Sequence, residues 1–513
     1  MNKQHNNTKI FVVFVVLLLL STLIFTSCGT NAGGYSAEKQ KNAESKEYTI
    51  DDIKDATIAS LLGSIESEYL STHYPDTKNL EYNTAADALA ALRTKKVDFF
   101  TIQSSMLDIY EKQTGDVENI HFELFPTHAG FGFKKGNEEL VNEVNGVIKE
   151  YEENGKMDEL RSHWADVYNY VIKDVPVNST GKTIVVGTSG ELEPFNFYVN
   201  NQLVGADIEI IGNILYDLGY QVEYKCMQFG ALMPALESGK IDIIASHLTI
   251  TDERKESIDF SDVYFSEYSS LAVYKGNTGG GSILTSIKEG LYNNFIKEDR
   301  YKMVIDGLGM TAALAVTAGI FGTLLGIILC FMSRSRMTVI RGIKKVYSAI
   351  IEGTPIVVVL LIVCYVILGK VNANGIIIGM LAFGMVFGND VCGAIENGLN
   401  NIDRGQYEAI KALGYPERKG FIKLIMPQLM RNFLPIYRGS FTSMIKATAI
   451  AGYVAVQDLT KAGDLIRSRT FDAFIPLIVV AIIYFIIIWL VTLFIRYFEN
   501  GEKRIRRKRE VRL

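Results

Sequence analysis

Residues Glu408–Gln428 read EAIKALGYPERKGFIKLIMPQ. The spacing predicts a short helix ending at Gly414, a turn at Tyr415-Pro416, and a second helix running up to Pro427. Ala409, Ala412 and Leu413 fall on one helical face, and Phe421, Ile422 and Ile425 repeat that spacing after the turn. Gly414 supplies a left-handed stop, and Pro416 keeps the first helix from continuing. Lys411, Arg418, Lys419 and Lys423 surround the hairpin, which suits a cytoplasmic loop between membrane spans. By spacing alone, an ordinary amphipathic helical hairpin fits equally well.

The flanks of this stretch are apolar. The chain has 513 residues, 48 % of them hydrophobic, and a positive mean hydropathy, too many residues for one small domain. Five spans are predicted: Gly307–Met332, Gly353–Gly369, Val371–Gly388, Ser440–Val456 and Ala473–Ile495. The fourth carries Lys446, which suits a helix packed against others better than one facing lipid. Pro355 is expected to break the second span. The loop Ser333–Lys345 holds five cations and no acid, whereas Lys461, Arg467 and Arg469 are balanced by Asp458, Asp464 and Asp472. An outside start to the first span then puts the basic loop, the Glu408 loop and the basic tail 499–513 inside. A basic tail directly after an apolar span marks the cytoplasmic side, so no nucleic-acid partner is expected.

At the N-terminus, Lys3 and Lys9 precede an uncharged run from Ile10 to Ser27 and then Cys28, the pattern of an export signal over 1–28. Residues 29–47 read as a flexible tether. The five cysteines form no CxxC pair and imply no disulfide framework or metal site. Residues 48–275 alternate short apolar runs with amphipathic helices, an α/β pattern with parallel sheets. Strand candidates are Thr57–Leu62, Val97–Ile102, Thr183–Gly187, Gln221–Tyr224 and Ile241–Ala245. Gly181-Lys182-Thr183 imitates the end of a phosphate-binding loop, but Pro176 stands where the first glycine belongs and a strand follows.

Glu408, Ala409, Gly414 and Pro427 resemble the EAA loop of ABC-importer permeases, and residues 284–513 resemble the polar amino-acid branch of that family. The resemblance implies an all-α type I transmembrane domain of five helices over 301–498, behind a linker and amphipathic lead-in at 276–300. It also implies that the Glu408 loop sits in a groove of a separate ATPase. Phe25-Thr26-Ser27-Cys28 resembles a bacterial lipobox, with lipidation at Cys28; an uncleaved anchor is the alternative.

Two segments resemble halves of a type II periplasmic amino-acid-binding protein, in reversed order. VVGTSGELEPFNFY (185–198), LVGADIEI (203–210) and residues 230–265 resemble the opening lobe. IASLLGSIESEYL (58–70), ADALAALRTKKVDFFTIQ (86–103) and residues 130–160 resemble the second lobe and the return segment. They are either remnants of two tandem domains or one circularly permuted bilobed domain, with 48–173 and 174–275 as its parts. The short joint Lys173–Gly181 suits permutation, because the family's termini lie close together.

An α-amino acid requires a fixed cation, an acceptor cluster and a wall. By resemblance, Arg254 binds the carboxylate, Thr249 and Ser246 lie beside the ligand, Gly63 and Ser64 form the second lobe's cradle, and Phe229 is an aromatic wall. Leu192 and Phe195 belong to the platform motif, with Leu192 in place of the usual aromatic residue. His247 replaces a usual glycine, and Gln103 stands where an acid normally holds the ammonium.

Together these imply a bacterial multi-pass membrane protein, its binding domain extracytoplasmic and its C-terminus cytoplasmic. It would import an amino acid or related small polar solute as a permease homodimer. A separate ATPase dimer would use the ATP, with no cofactor or catalytic residue in this chain. A ligand-gated receptor or channel built on the same bilobed domain is the alternative; an enzyme of that fold would need a general base, and no constellation for one is visible.

Overall fold

The computed structural model describes residues 48–164, 172–276, 283–369, 371 and 373–510. The export signal, Cys28, the tether and most of the glycine-rich linker lie outside the described residues.

Two sheets organise residues 57–274. The first runs β2 (Lys78–Tyr82), β1 (Thr57–Leu61), β3 (Phe99–Gln103), β13 (Phe265–Tyr274), β4 (Val117–Asn119), with β5 (Phe125–Ala129) also on β13. Strand β1 pairs parallel with β2 and β3, and β13 closes the sheet antiparallel to β3. Every residue of β3 is buried, as a parallel strand covered on both faces requires. The second sheet runs β10 (Gln221–Cys226), β7 (Thr183–Thr188), β11 (Ile243–Ile244), β6 (Gly132–Lys134), β12 (Ile258–Phe260). All five predicted strands are present, with ends shifted by one or two residues. A hairpin of β8 (Phe197–Val199) and β9 (Gln202–Val204) stands apart.

The chain crosses between sheets twice, from β5 to β6 and from β12 to β13. The crossings are bound together. Phe131 and Ser261 exchange hydrogen bonds, backbone N–H to hydroxyl and backbone to backbone, both 2.9 Å. Phe131 also stacks on Tyr264 with centroids 4.2 Å apart. The result is two lobes on a paired hinge.

Helices α1 (Ile65–His73) and α2 (Ala85–Arg93) belong to the first lobe-sheet, and α3 (Asp252–Ser257) to the second. Beyond the linker, α4 (Tyr301–Ser333) packs along α6 (Gly375–Asn400). A Cβ on Gly322 would lie 2.7 Å from the Gly384 carbonyl oxygen, and one on Gly326 would lie 2.7 Å from that of Gly388. Glycines four residues apart on both helices therefore let the backbones touch, the close packing that apolar surroundings favour. Between them, α5 (Thr338–Gly353) meets Ile356–Ile367 at a bend of 115° beside Pro355. That is the predicted break.

The span count and bounds differ from expectation. Among the described residues, three helices are long and apolar enough to cross a membrane: α4, α6 and Ile475–Glu499 of α10 (Ile475–Glu510). Counted as one broken span, the bent pair brings the number to four. The third span begins at an Asn374 cap rather than Val371 and continues past Gly388 to Asn400. In place of a span over Ser440–Val456, α8 (Met426–Ala447) ends before a 3-10 segment, Thr448–Val454. Arg431, Arg438 and Lys446 lower its hydropathy; Arg438 is neutralised by Glu499 at 2.7 Å.

The Glu408 hairpin also departs in detail. Helix α7 (Arg404–Ala412) starts earlier, capped by Asp403, and stops at Gly414, whose φ is 67°. The second helix does not end at Pro427. It runs through a π-helical segment, Phe421–Ile425, into α8, and Pro427 lies in the first turn after that change of hydrogen-bond pattern, where its missing N–H is accommodated. The packed face is Ile410, Ile425 and Leu429 with Leu399 and Ile402. Leu413 (66 %) and Ile422 (54 %) lie exposed instead.

Candidate functional site

A cavity of about 50 Å³ lies where the lobes meet. Of the residues singled out in the sequence, Arg254, Thr249, Phe229, Leu192, Ser64, Gln103 and His247 line it. Arg254 sits on α3, whose N-cap Thr251 accepts from the Arg254 N–H at 3.1 Å. Its guanidinium donates to the Thr249 carbonyl at 2.9 Å in one lobe and to the Gly63 carbonyl at 3.1 Å in the other. Gly63, at φ 73°, thus contributes through its backbone. One side chain ties both lobes. Burial lowers the Arg254 pKa from its ordinary value, against the opposing pull of Glu66, Glu68 and Glu253.

Ser64 caps α1, accepting from the Ser67 N–H at 3.3 Å. Phe229 opens the helix Phe229–Glu237, and Gln103 ends β3 at the start of the next helix. Two residues lie behind the wall rather than on it. Ser246 is buried and exchanges a 3.2 Å contact with the Ser189 hydroxyl. Phe195 is buried and stacks on His247 at 3.5 Å.

Other lining residues escaped the sequence reading: Glu66, Asn83, Thr84, Ser189 and Glu191 among them. Glu66 is buried, receives the Ser269 hydroxyl at 2.6 Å, and keeps its second oxygen without a hydrogen-bond partner among the described residues. Burial raises its pKa. His247 has φ 47°, which is why a glycine would suit the position. It is held by Glu267 at 2.9 Å and by its backbone N–H to Asp207 at 2.6 Å. Its buried Nδ1 lacks a hydrogen-bond partner among the described residues. Glu267 lies on β13, so this pair is a second tie between lobes.

The membrane part meets this cleft through α9 (Leu459–Thr470), capped by Asp458, which accepts from the Lys461 and Thr460 N–H groups at 3.0 and 3.1 Å. Arg467 pairs with Asp87 on α2, and Arg469 pairs with Glu193. Lys461, fully buried, pairs with Glu191 and reaches the Ser189 carbonyl at 3.4 Å. The cations read as balanced within their own loop therefore reach across to the lobes. Arg93 donates to the Phe471 carbonyl at 2.7 Å, and Gln457 to the Tyr198 hydroxyl at 2.8 Å. Lys240 donates to the carbonyls of Leu368 and Val371. In the Glu408 hairpin, Glu408, Ala409, Gly414 and Pro427 are all exposed, with Tyr407, Leu413, Tyr415 and Ile422 as exposed neighbours.

A sequence profile of the bacterial extracellular solute-binding proteins, family 3, matches residues 184–447, just over half of the chain. The provisionally named glutamine transport system permease protein GlnP of Rickettsia bellii (strain RML369-C) is 28 % identical over 199 residues, 38 % of this chain and 91 % of that one. The arginine transport system permease protein ArtQ of Bacillus subtilis (strain 168) is 28 % identical over 194 residues, 37 % of this chain and 87 % of that one. Among solved structures, an amino acid ABC transporter crystallised with histidines is 29 % identical. It covers 44 % of this chain and all of its own, at a TM-score of 0.37.

Proposed function

The chain belongs to the bacterial extracellular solute-binding proteins, family 3, and from that premise we propose that it is the fused solute-binding and permease subunit of an ABC importer for amino acids. The permease relatives favour this over a ligand-gated receptor. The observation that carries the reading is the cleft's position: Arg254 spans both lobes, and the same lobes rest on α9 of the apolar helical part.

The finer reading follows from the same features. The two strand crossings and the order of the sheets suit one permuted bilobed domain, 48–173 supplying the second lobe and return segment, and 174–275 the first lobe. Helix α8 serves as the fourth of five spans despite its three cations. The binding domain lies outside a bacterial cytoplasmic membrane and the Glu408 hairpin inside. Solute closes the lobes, the carboxylate meets Arg254, and an ATPase pair gripping the exposed faces of α7 and the following turn drives a permease homodimer. ATP is consumed by that partner. Solute binding by the full chain in nanodiscs tests this, with thermal shift read for each of the twenty amino acids. A shift with at least one is expected; none with any would refute the amino-acid reading.

A further inference from the structure

Glu191 lines the cleft, yet its carboxylate is taken by Lys461 of α9, a residue of the membrane part. Lys461 is buried, and its ammonium also touches the Ser189 carbonyl, a second lining residue. The tip of this side chain thus lies directly behind two lining residues of the cleft. The other lining acid, Glu66, spends one oxygen on Ser269 and lies within the electrostatic reach of Arg254, on the side of the cleft where the solute's carboxylate would sit. Gln103, the remaining candidate for an ammonium, is neutral. For a zwitterion whose carboxylate engages Arg254, the lining acid that does not act on Arg254 is Glu191, and Lys461 holds the same group.

We propose that Glu191 is a shared carboxylate, received in turn by the solute's ammonium and by Lys461, so that seating α9 against the cleft expels a zwitterionic amino acid toward the permease. The two cations are alternatives at one anion. By thermodynamic reciprocity, whatever Lys461 costs solute binding, solute binding costs the Lys461 contact by the same factor. A fixed lysine beside the cleft makes affinity for ammonium-bearing solutes low in the docked form without any change in cavity shape. Solutes lacking the ammonium are indifferent to it.

The inference rests on the amino-acid reading. Its test uses the full chain in lipid nanodiscs and calorimetry with the amino acid that gives the largest thermal shift, together with the matching carboxylic acid lacking the amine. Lys461→Met and Lys461→Gln, each confirmed folded by its unfolding midpoint, should bind the amino acid at least about tenfold more tightly. Binding of the deaminated acid should stay unchanged, and Glu191→Gln combined with Lys461→Met should erase the gain. Lys461→Arg, which keeps the charge, should match wild type. If wild type binds but neither neutral substitution tightens binding, the shared-carboxylate proposal falls while the importer reading stands. Equal tightening of both ligands overturns it too, because that pattern reports an opened cleft. If no form binds any amino acid, the underlying reading fails.

Discussion

Replacing Arg254 with alanine should cost roughly a hundredfold in solute affinity. A guanidinium carries five N–H donors, and two of these are spent on Thr249 and Gly63. Three remain for a ligand, enough for a two-pronged grip on a carboxylate, which lysine's single ammonium does not reproduce. A hydrogen bond to a charged group is worth about 1.5–3 kcal/mol net. Taking the lower end for two such bonds at a half-buried site gives about 3 kcal/mol, close to a factor of 10². Calorimetry on the full chain in nanodiscs measures this directly, with Arg254→Lys as the companion. Lysine should recover little of the loss. A less than fivefold loss in Arg254→Ala would refute the reasoning, since a solvated surface arginine contributes under about 1 kcal/mol.

Gly414→Asp should abolish ATP-driven uptake while leaving solute Kd within about twofold. The position is exposed and left-handed, at a folding cost near 1 kcal/mol; weakened solute binding would contradict this separation. Asp87→Arg, placing two cations face to face against Arg467, should cut uptake severalfold, and adding Arg467→Asp should restore most of it; failure of the double variant to recover would mean the pair does not hold the lobe. Asp464 has its pKa pushed up to about 6 by burial, with Glu191 adding to the rise. A carboxyl raised above its unfolded value binds more protons when folded, so the stability it contributes at low pH is lost as pH rises from about 4 through 6. Asp464→Asn should therefore flatten that part of the stability-versus-pH profile by about 3 kcal/mol; an unaltered profile would show that Asp464 is not the titrating group.

Much of this was legible in local sequence. Strands β3, β7 and β11 announce themselves because covered strands are short runs of apolar residues, and the break at Pro355 and the stop at Gly414 are properties of single residues. The hairpin's packed face was misread, because Ala409, Ala412 and Leu413 satisfy helical spacing as well as Ile410 does. Only the position of α6 and α8 decides between them. Pro427 misled for a related reason: it ends one helix or begins another according to what precedes it. The cations of α9 were invisible as docking groups because their acids lie far away in sequence, Arg467 from Asp87 by 380 positions. Nearby Asp458, Asp464 and Asp472 supplied an adequate local balance. The signal that was available was the excess of acid in GELEP, where Glu191 and Glu193 flank Leu192 in a stretch otherwise fit for a ligand wall.

The run from β13 into α4, with the lobes already seated on α9, changes the kinetics of delivery. A binding domain held by a short connection meets its permease at an effective concentration on the order of millimolar. Encounter is then unimolecular and independent of how much protein the cell makes. Uptake should rise in direct proportion to the number of chains, with no saturation by free donor. The cost is a queue of length one, because a domain cannot collect its next solute while it is handing over the last.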